Sequence, residues 1–166
     1  NLVNIQNITR QKIVMSAHNG HIFKDKKAKE MGFFIHEMIG NKYFALGIEF
    51  NKGSITGFTM DSVNYYSRVV LVSDSLNSKN LAWYFKDVPF TSSYVNLRDI
   101  DNKYISFFNQ LWKMSSLKGC YGNKRCNERF WKINPYKSYD GIIFIRDAIP
   151  SSLLWEFRPI KGYEYR

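Results

Sequence analysis

Short apolar runs alternate with stretches of helical periodicity along most of the chain. A run of about four to eight apolar residues without polar alternation is typical of a strand that is buried on both faces of a sheet. Helices between such strands give the connections of a parallel sheet. The pattern therefore predicts an α/β fold in which helices pack on a mainly parallel sheet, and the absence of an interior linker indicates that residues 1–166 form one unit. The predicted strands are Lys12–Ala17, Tyr43–Phe50, Tyr94–Arg98 and Gly141–Arg146.

The segment Lys27–Ile39 carries a clear helical pattern. Its apolar residues recur at i, i+3, i+4 and i+7, which predicts one stripe facing the core. Gly40 follows as a C-terminal stop. Beyond the next strand, Asn51–Asn64 is polar and rich in glycine, which predicts a loop over the carboxyl edge of the sheet, with a short hairpin as the alternative. The predicted stripe consists of Met31, Phe34, Ile35 and Met38.

The first predicted strand leads directly into a turn that carries two of the three histidines of the chain. Residues 18–21 read His-Asn-Gly-His, and Asn-Gly is a strong turn signal. Ligands of open α/β sheets bind at the carboxyl ends of strands, and histidine moves protons near neutral pH. We therefore predict that His18 and His21 are catalytic and line the principal cleft. The alternative is that one imidazole caps the loop structurally.

The same two histidines also suggest a metal site. Zinc requires three or four protein ligands, and only Asp25 or Glu49 is available to supplement the pair. The third histidine has no supporting context. The sequence therefore predicts no metal and no cofactor.

Further candidate residues lie near the ends of predicted strands. Glu49 stands in an apolar run, so a buried carboxylate there is predicted to act as a catalytic acid or base; the alternative is a solvent-facing strand end. Arg98 closes another strand at the same presumed edge and is predicted to position substrate; the alternative is that it pairs with Asp99. Asn19 in the turn and Gly53 in the glycine-rich loop complete the predicted substrate-binding set. Asp140 precedes a strand, which predicts a structural cap at the opposite edge.

The amino-acid composition excludes few classes of protein. Hydrophobic residues make up 45% of the chain, which is typical of a globular domain. The net charge is +10, which is compatible with a polyanionic partner. The lysines are scattered apart from residues 24–29, so we expect solvated surface rather than a nucleic-acid site. No apolar run approaches the roughly 20 residues that cross a bilayer. Cys120 and Cys126 are predicted to be free thiols, with a local disulfide between them as the alternative.

The residues Lys12–Ile22, K-I-V-M-S-A-H-N-G-H-I, resemble the strand and histidine turn of the erythromycin esterase family. The resemblance implies hydrolysis of an ester or macrolactone by a histidine-activated water, with neither a cofactor nor a covalent intermediate. It also implies that the chain is the C-terminal portion of an erythromycin esterase-like domain. The match continues in order through Met31-Gly32, Ile39-Gly40, Tyr43–Phe50 with Gly53, and Tyr139–Ile145.

One element of the family is not matched. The family carries a Gly-Glu-x-x-His-Gly motif near its N-terminus that supplies the main catalytic base, and nothing in this sequence resembles it. The expected partners are therefore a missing N-terminal segment of the same protein and a small-molecule ester or lactone, and this chain alone is expected to have little turnover. Two other hypotheses are a non-catalytic binding module that keeps the fold and a basic nucleic-acid-binding domain. The expected compartment is the cytoplasm.

Overall fold

A computed structural model describes residues 2–26, 29–60, 66–73, 76–114 and 131–149 of the chain. None of the helices in these ranges has the length and apolar character needed to cross a membrane. Both cysteines lie outside the described residues. The helices are α1 (Leu2–Thr9), α2 (Asn19–Ile22), α3 (Met31–Ile39), α4 (Asn102–Phe108) and α5 (Pro135–Ser138), with 3₁₀ helices at Gly40–Lys42 and Leu81–Phe85. The strands are β1 (Leu46–Met60), β2 (Tyr66–Ser73), β3 (Ser92–Asn96), β4 (Trp112–Met114), β5 (Trp131–Ile133) and β6 (Gly141–Ala148).

The main sheet is mixed rather than mainly parallel. Its strand order is β2-β1-β6-β3, and only β1 and β6 run parallel among these neighbours. One difference from the predicted sheet lies in Asn51–Asn64, where the sequence favoured a loop. In the structure, β1 continues to Met60 and pairs with β2 as an antiparallel hairpin. The α/β class is confirmed, and the prediction of a mainly parallel sheet is correct only in part.

The core lies on one face of this sheet. Successive side chains of a strand point to opposite faces. Along the start of β1, Ala45 and Glu49 are buried on the inner face, at 1% and 0% exposure. Phe144 of β6 lies on that face and stacks on Phe85 with ring centroids 3.6 Å apart. The outer face of β1 is apolar but open, since Phe44, Leu46 and Ile48 are 44%, 36% and 45% exposed.

The predicted strand Lys12–Ala17 does not join the sheet. Its backbone is without regular structure, and within the described ranges it has no ladder partner. A cavity of about 660 Å³ is lined both by this segment and by Lys42–Leu46. Val14 consequently stays 97% exposed. An apolar strand of this kind is stable when other elements pack on both of its faces, and the described residues do not pack on both faces of this segment.

Helix α3 is rotated relative to its predicted orientation. Ile35 is buried at 8%, whereas Phe34 and Met38 are 52% and 57% exposed. The reason for this rotation is that Gly32 faces α2. The two backbones are so close there that a Cβ atom on Gly32 would lie 2.1 Å from the carbonyl oxygen of Ile22. Only glycine permits this approach. The predicted buried stripe is therefore wrong for Phe34 and Met38.

Candidate functional site

Asn19 fixes the histidine turn to the sheet. Its side chain is 6% exposed, and its Nδ2 donates to the carbonyl oxygen of Ile48 at 2.7 Å. The Oδ1 atom accepts from the Ile48 N–H at 3.2 Å. An amide side chain offers a donor and an acceptor side by side, so Asn19 supplies Ile48 with the bonds that a neighbouring strand would otherwise make. This placement supports an anchoring role for Asn19 and gives no support to the predicted substrate contact.

The end of the turn is held equally firmly. Phe23 is buried in the core at 3% exposure. The Tyr43 hydroxyl donates to the carbonyl oxygen of Ile22 at 2.5 Å. Burial, followed by the negative charge of Asp140, raises the pKa of Tyr43 to about 12, so the phenol keeps its donor proton. The turn is therefore held by Asn19, which lies between the two histidines, and by Ile22 and Phe23, which follow them.

Both imidazoles lie on the surface with defined partners. His18 Nδ1 accepts a hydrogen bond from the Gly20 N–H at 3.2 Å. His21 Nδ1 lies 3.1 Å from Oε2 of Glu30, with these two side chains 59% and 40% exposed. The ring centroids are 6.2 Å apart at 70°. Two titratable rings at this separation can act on one small substrate.

The cavity next to the turn does not contain the imidazoles. Its lining includes Ala17, Asn19 and Ile22 from the turn region, but neither histidine. The prediction that His18 and His21 line the principal cleft is wrong for this cavity. Of the predicted loop, the structure describes the side chains of Asn51, Lys52 and Gly53, and none of these three residues lines the cavity.

Glu30 is a site residue that the sequence did not reveal. It occupies the N-cap position of α3, where Ser, Thr, Asp or Asn is usual, and its side chain makes no bond to its own helix. Its carboxylate reaches His21 instead. The sequence predicted a helix from Lys27, whereas α3 begins at Met31, so nothing in the sequence marked Glu30 as the N-cap. The partner of Glu30 depends on how α3 packs on α2.

Glu49 and Gly53 are placed inside the fold. Glu49 is fully buried on the inner face of β1, where its charge adds to burial in raising the pKa of Tyr139 well above its usual value. Gly53 pairs with both Ser73 and Ala148, and a Cβ there would lie 2.1 Å from the Ala148 carbonyl oxygen. Its φ of 128° also favours glycine. Neither residue is exposed as the histidines are, and their roles in catalysis and substrate binding stay predictions.

Arg98 belongs to a structural network at the other end of β1. Strand β3 runs antiparallel to β6, so its end lies beside the start of β6. The prediction that Arg98 shares the carboxyl edge with Glu49 is therefore wrong. Its Nε donates to Asp140 Oδ1 at 2.7 Å, and its other nitrogens donate to the carbonyl oxygens of Asn41 and Tyr43. A substrate-binding role for Arg98 has no support in this placement.

Asp140 is the centre of that network. Its Oδ1 also accepts from Lys24 Nζ at 2.6 Å, and its Oδ2 accepts from the Ala45 N–H at 2.8 Å. Burial by itself would raise the pKa of Asp140, but the hydrogen bonds from Arg98, Lys24 and Ala45 outweigh it and hold the pKa below its usual value. Asp140 caps the start of β6, as predicted, and joins the loop after the histidine turn to the sheet.

Metal ligands do not converge in the described ranges. No three or more His, Cys, Asp or Glu side chains are grouped there as a metal ion would require. The absence of a metal and of a cofactor stays a prediction.

Replacing Asn19 by alanine is expected to lower the free energy of unfolding by about 1–3 kcal/mol, because the backbone groups of Ile48 lose their partners. Urea unfolding measures this difference. Asn7→Ala is the matched control, since Asn7 is exposed on α1 and its loss should cost within about 0.5 kcal/mol. Equal losses in the two variants would show that Asn19 does not anchor the turn.

Comparison with solved structures supports the fold. A Bacillus cereus protein of known structure is 19% identical with a TM-score of 0.61, and the match covers 81% of this chain and 33% of that one. A succinoglycan biosynthesis protein is 19% identical with a TM-score of 0.60, over 80% and 32% of the two chains. A histidine-to-asparagine mutant of the erythromycin esterase EreC in its open conformation is 16% identical with a TM-score of 0.58, over 88% and 35%. The chain thus spans about a third of the length of each structure.

The family itself is identified from the sequence. A search of curated proteins gave no match. The profile described as erythromycin esterase matches residues 1–148, a range that includes the histidine turn, β1 and β6. This match confirms the resemblance carried by the motif around His18 and His21. The chain therefore belongs to the erythromycin esterase family.

Proposed function

We propose that the complete gene product hydrolyses a small-molecule ester or lactone, with a water molecule as the nucleophile and His18 and His21 as the assisting groups. The observation that carries the proposal is the anchored turn, which holds two imidazoles 6.2 Å apart at the surface. Family membership supports the hydrolase class. A macrolactone is the substrate that the family name suggests.

The proposed reaction needs only proton transfer. The base of the missing N-terminal motif, assisted by one imidazole of the turn, takes a proton from water as the water oxygen bonds to the carbonyl carbon, and the other imidazole donates a hydrogen bond to the carbonyl oxygen as negative charge develops there. The tetrahedral species then breaks its bond to the alcohol oxygen, which receives the proton held by that base. The products are a carboxylic acid and an alcohol, and no covalent enzyme intermediate forms.

We also propose that a further segment of the same protein completes the site. Both imidazoles are exposed, whereas water exclusion strengthens the electrostatic interactions of an active site. The open outer face of β1 and the exposed Val14 favour the same proposal, because parallel strands are normally covered on both faces. In the proposed assembly the segment covers this face and Lys12–Ala17 pairs as a strand. The matched structures are about three times as long as their matched part.

The proposal is tested by assaying residues 1–166 and the complete gene product side by side on p-nitrophenyl esters and on a macrolactone. We expect turnover by the complete product and little or none by residues 1–166. Turnover by residues 1–166 equal to that of the complete product would contradict the incomplete-site proposal. Absence of hydrolysis by the complete product on every ester would contradict the hydrolase assignment.

A further inference from the structure

The cavity beside the histidine turn is an apolar groove that also carries positive charge. Its apolar walls come from the outer face of β1, the end of α3 and the segment Lys12–Ala17. Among the described residues, the charged ones that line it are Lys12 and Lys42, and no aspartate or glutamate does so. Both lysines precede the bond between Asn19 and Ile48 in their own segments, so they lie at the end of the groove away from the histidines. An exposed apolar surface of this kind is typical of a site that binds another polypeptide.

The positive charge at this end of the groove is not balanced by the described residues. Within these residues, neither Lys12 nor Lys42 forms an ion pair. The backbone carbonyls on both sides of Lys42 accept from Arg98, which brings a third cation to the same place. Arg98 shares a single carboxylate, that of Asp140, with Lys24. A negatively charged partner is therefore attracted to this end of the groove.

We propose that the segment of the complete gene product that covers this groove carries an acidic side chain that pairs with Lys12 and Lys42, beside apolar side chains that pack on the outer face of β1. The inference rests on the proposed function, in which a further segment of the same protein completes the site. Covering the groove takes both ammonium groups out of water, and a buried charge without a counter-charge is strongly destabilising. A carboxylate supplied by the covering segment removes this penalty.

The same charges disfavour a second copy of residues 1–166 as the occupant. A two-fold symmetric contact places the same surface patch of both copies against itself. Such a contact through the groove would bring together the lysines of two chains that each have a net charge of +10. Like charges placed against each other oppose association, so the covering segment has to be a different polypeptide surface.

The acidic partner can be detected by carbodiimide coupling, which joins a lysine directly to a carboxylate with which it forms an ion pair. The complete gene product is coupled, digested and analysed by mass spectrometry. We expect a peptide in which Lys12 or Lys42 is joined to an aspartate or glutamate outside residues 1–166. The exposed pair of Lys52 and Asp147, 3.3 Å apart, provides the positive control. Coupling of Lys52 to Asp147 without any coupling of Lys12 or Lys42 would overturn the inference.

The position of the coupled carboxylate identifies the occupant of the groove. Coupling of Lys12 or Lys42 to a carboxylate within residues 1–166 of the same copy would overturn the inference. Coupling between a ¹⁴N and a ¹⁵N copy in mixed protein would also overturn it, because a second copy would then cover the groove.

Charge reversal at Lys42 provides a second measurement. In the complete gene product, Lys42→Glu should lower the urea midpoint by roughly 1 M, because two carboxylates then face each other in a covered site. In residues 1–166 the same change is at an exposed position and should leave the midpoint nearly unchanged. Lys132→Glu, on β5 in the second sheet, is the matched control and should leave both proteins unchanged. Equal midpoints of the complete wild type and its Lys42→Glu variant would overturn the inference.

An ester assay of the same preparation separates this inference from the proposed function. Hydrolysis without the coupled peptide would overturn the acidic partner and leave the proposed function standing. The coupled peptide in a product that hydrolyses no ester would support the acidic partner and contradict the proposed function.

Discussion

Replacing Asp140 by asparagine is expected to lower the free energy of unfolding by about 3–5 kcal/mol. The carboxylate is 5% exposed and accepts from Lys24, Arg98 and the Ala45 N–H. Lys24 is itself only 12% exposed, so the variant leaves a largely buried ammonium group without its counter-charge. The network joins β6, the start of β1 and the loop after the histidine turn, so its loss should also loosen the site. Urea unfolding of wild type and variant measures the difference.

Asp147 provides the matched control because it is the same residue type near the other end of β6. Its side chain is 47% exposed and pairs with Lys52 and Arg146 at 3.3 and 3.0 Å. Solvent screens such a pair, so Asp147→Asn should leave the urea midpoint nearly unchanged. Equal shifts in the two variants would contradict the central role given to Asp140.

The same network predicts how stability depends on pH. The native pKa of Asp140 is lowered, whereas an aspartate in the unfolded chain titrates near about 3.9. Above that pH the carboxylate is ionised in both states, so its contribution to stability is complete. Below it the unfolded chain binds the proton first, and the contribution is lost as the pH falls through the lowered native pKa. The stability difference between wild type and Asp140→Asn should therefore shrink over this acid range.

Local features of the sequence predicted local features of the structure. The apolar run after Tyr139 is β6, and the Asn-Gly turn signal lies in the short helix α2, which begins after His18 and contains His21. Asp140 was identified as a cap because its place before a buried strand limits what its carboxylate can contact. Each of these inferences depends on residues close together in the chain.

The direction of each strand and its partners in the sheet could not be predicted from neighbouring residues. An apolar run does not indicate whether the adjacent strand is parallel or antiparallel, so Arg98 was assigned to the wrong edge of the sheet. The run Lys12–Ala17 has the composition of a buried strand, but a strand also needs a neighbour, and the described residues supply none. The pairing of Glu30 with His21 depends on the approach of Gly32 to Ile22, which is a tertiary contact.

Replacing either histidine of the turn by alanine is expected to lower kcat of the complete gene product by about 10²–10⁴-fold, the usual contribution of general acid–base catalysis. His21 is exposed, so His21→Ala should change the free energy of unfolding by no more than about 0.5 kcal/mol. His18→Ala also loses the N-cap bond to the Gly20 N–H and should cost about 0.5–2 kcal/mol. His36, the third histidine, lies on α3 outside the turn and provides the control. His36→Ala should keep the wild-type kcat.

The proposed function is best tested by measuring kcat for hydrolysis of one ester by the complete wild-type product and by its His21→Ala and His36→Ala variants. We expect a fall of at least about 100-fold for His21→Ala and no change for His36→Ala. An active wild-type enzyme whose kcat is the same in His21→Ala would contradict the proposed function and would leave the imidazole with only a structural role in the turn.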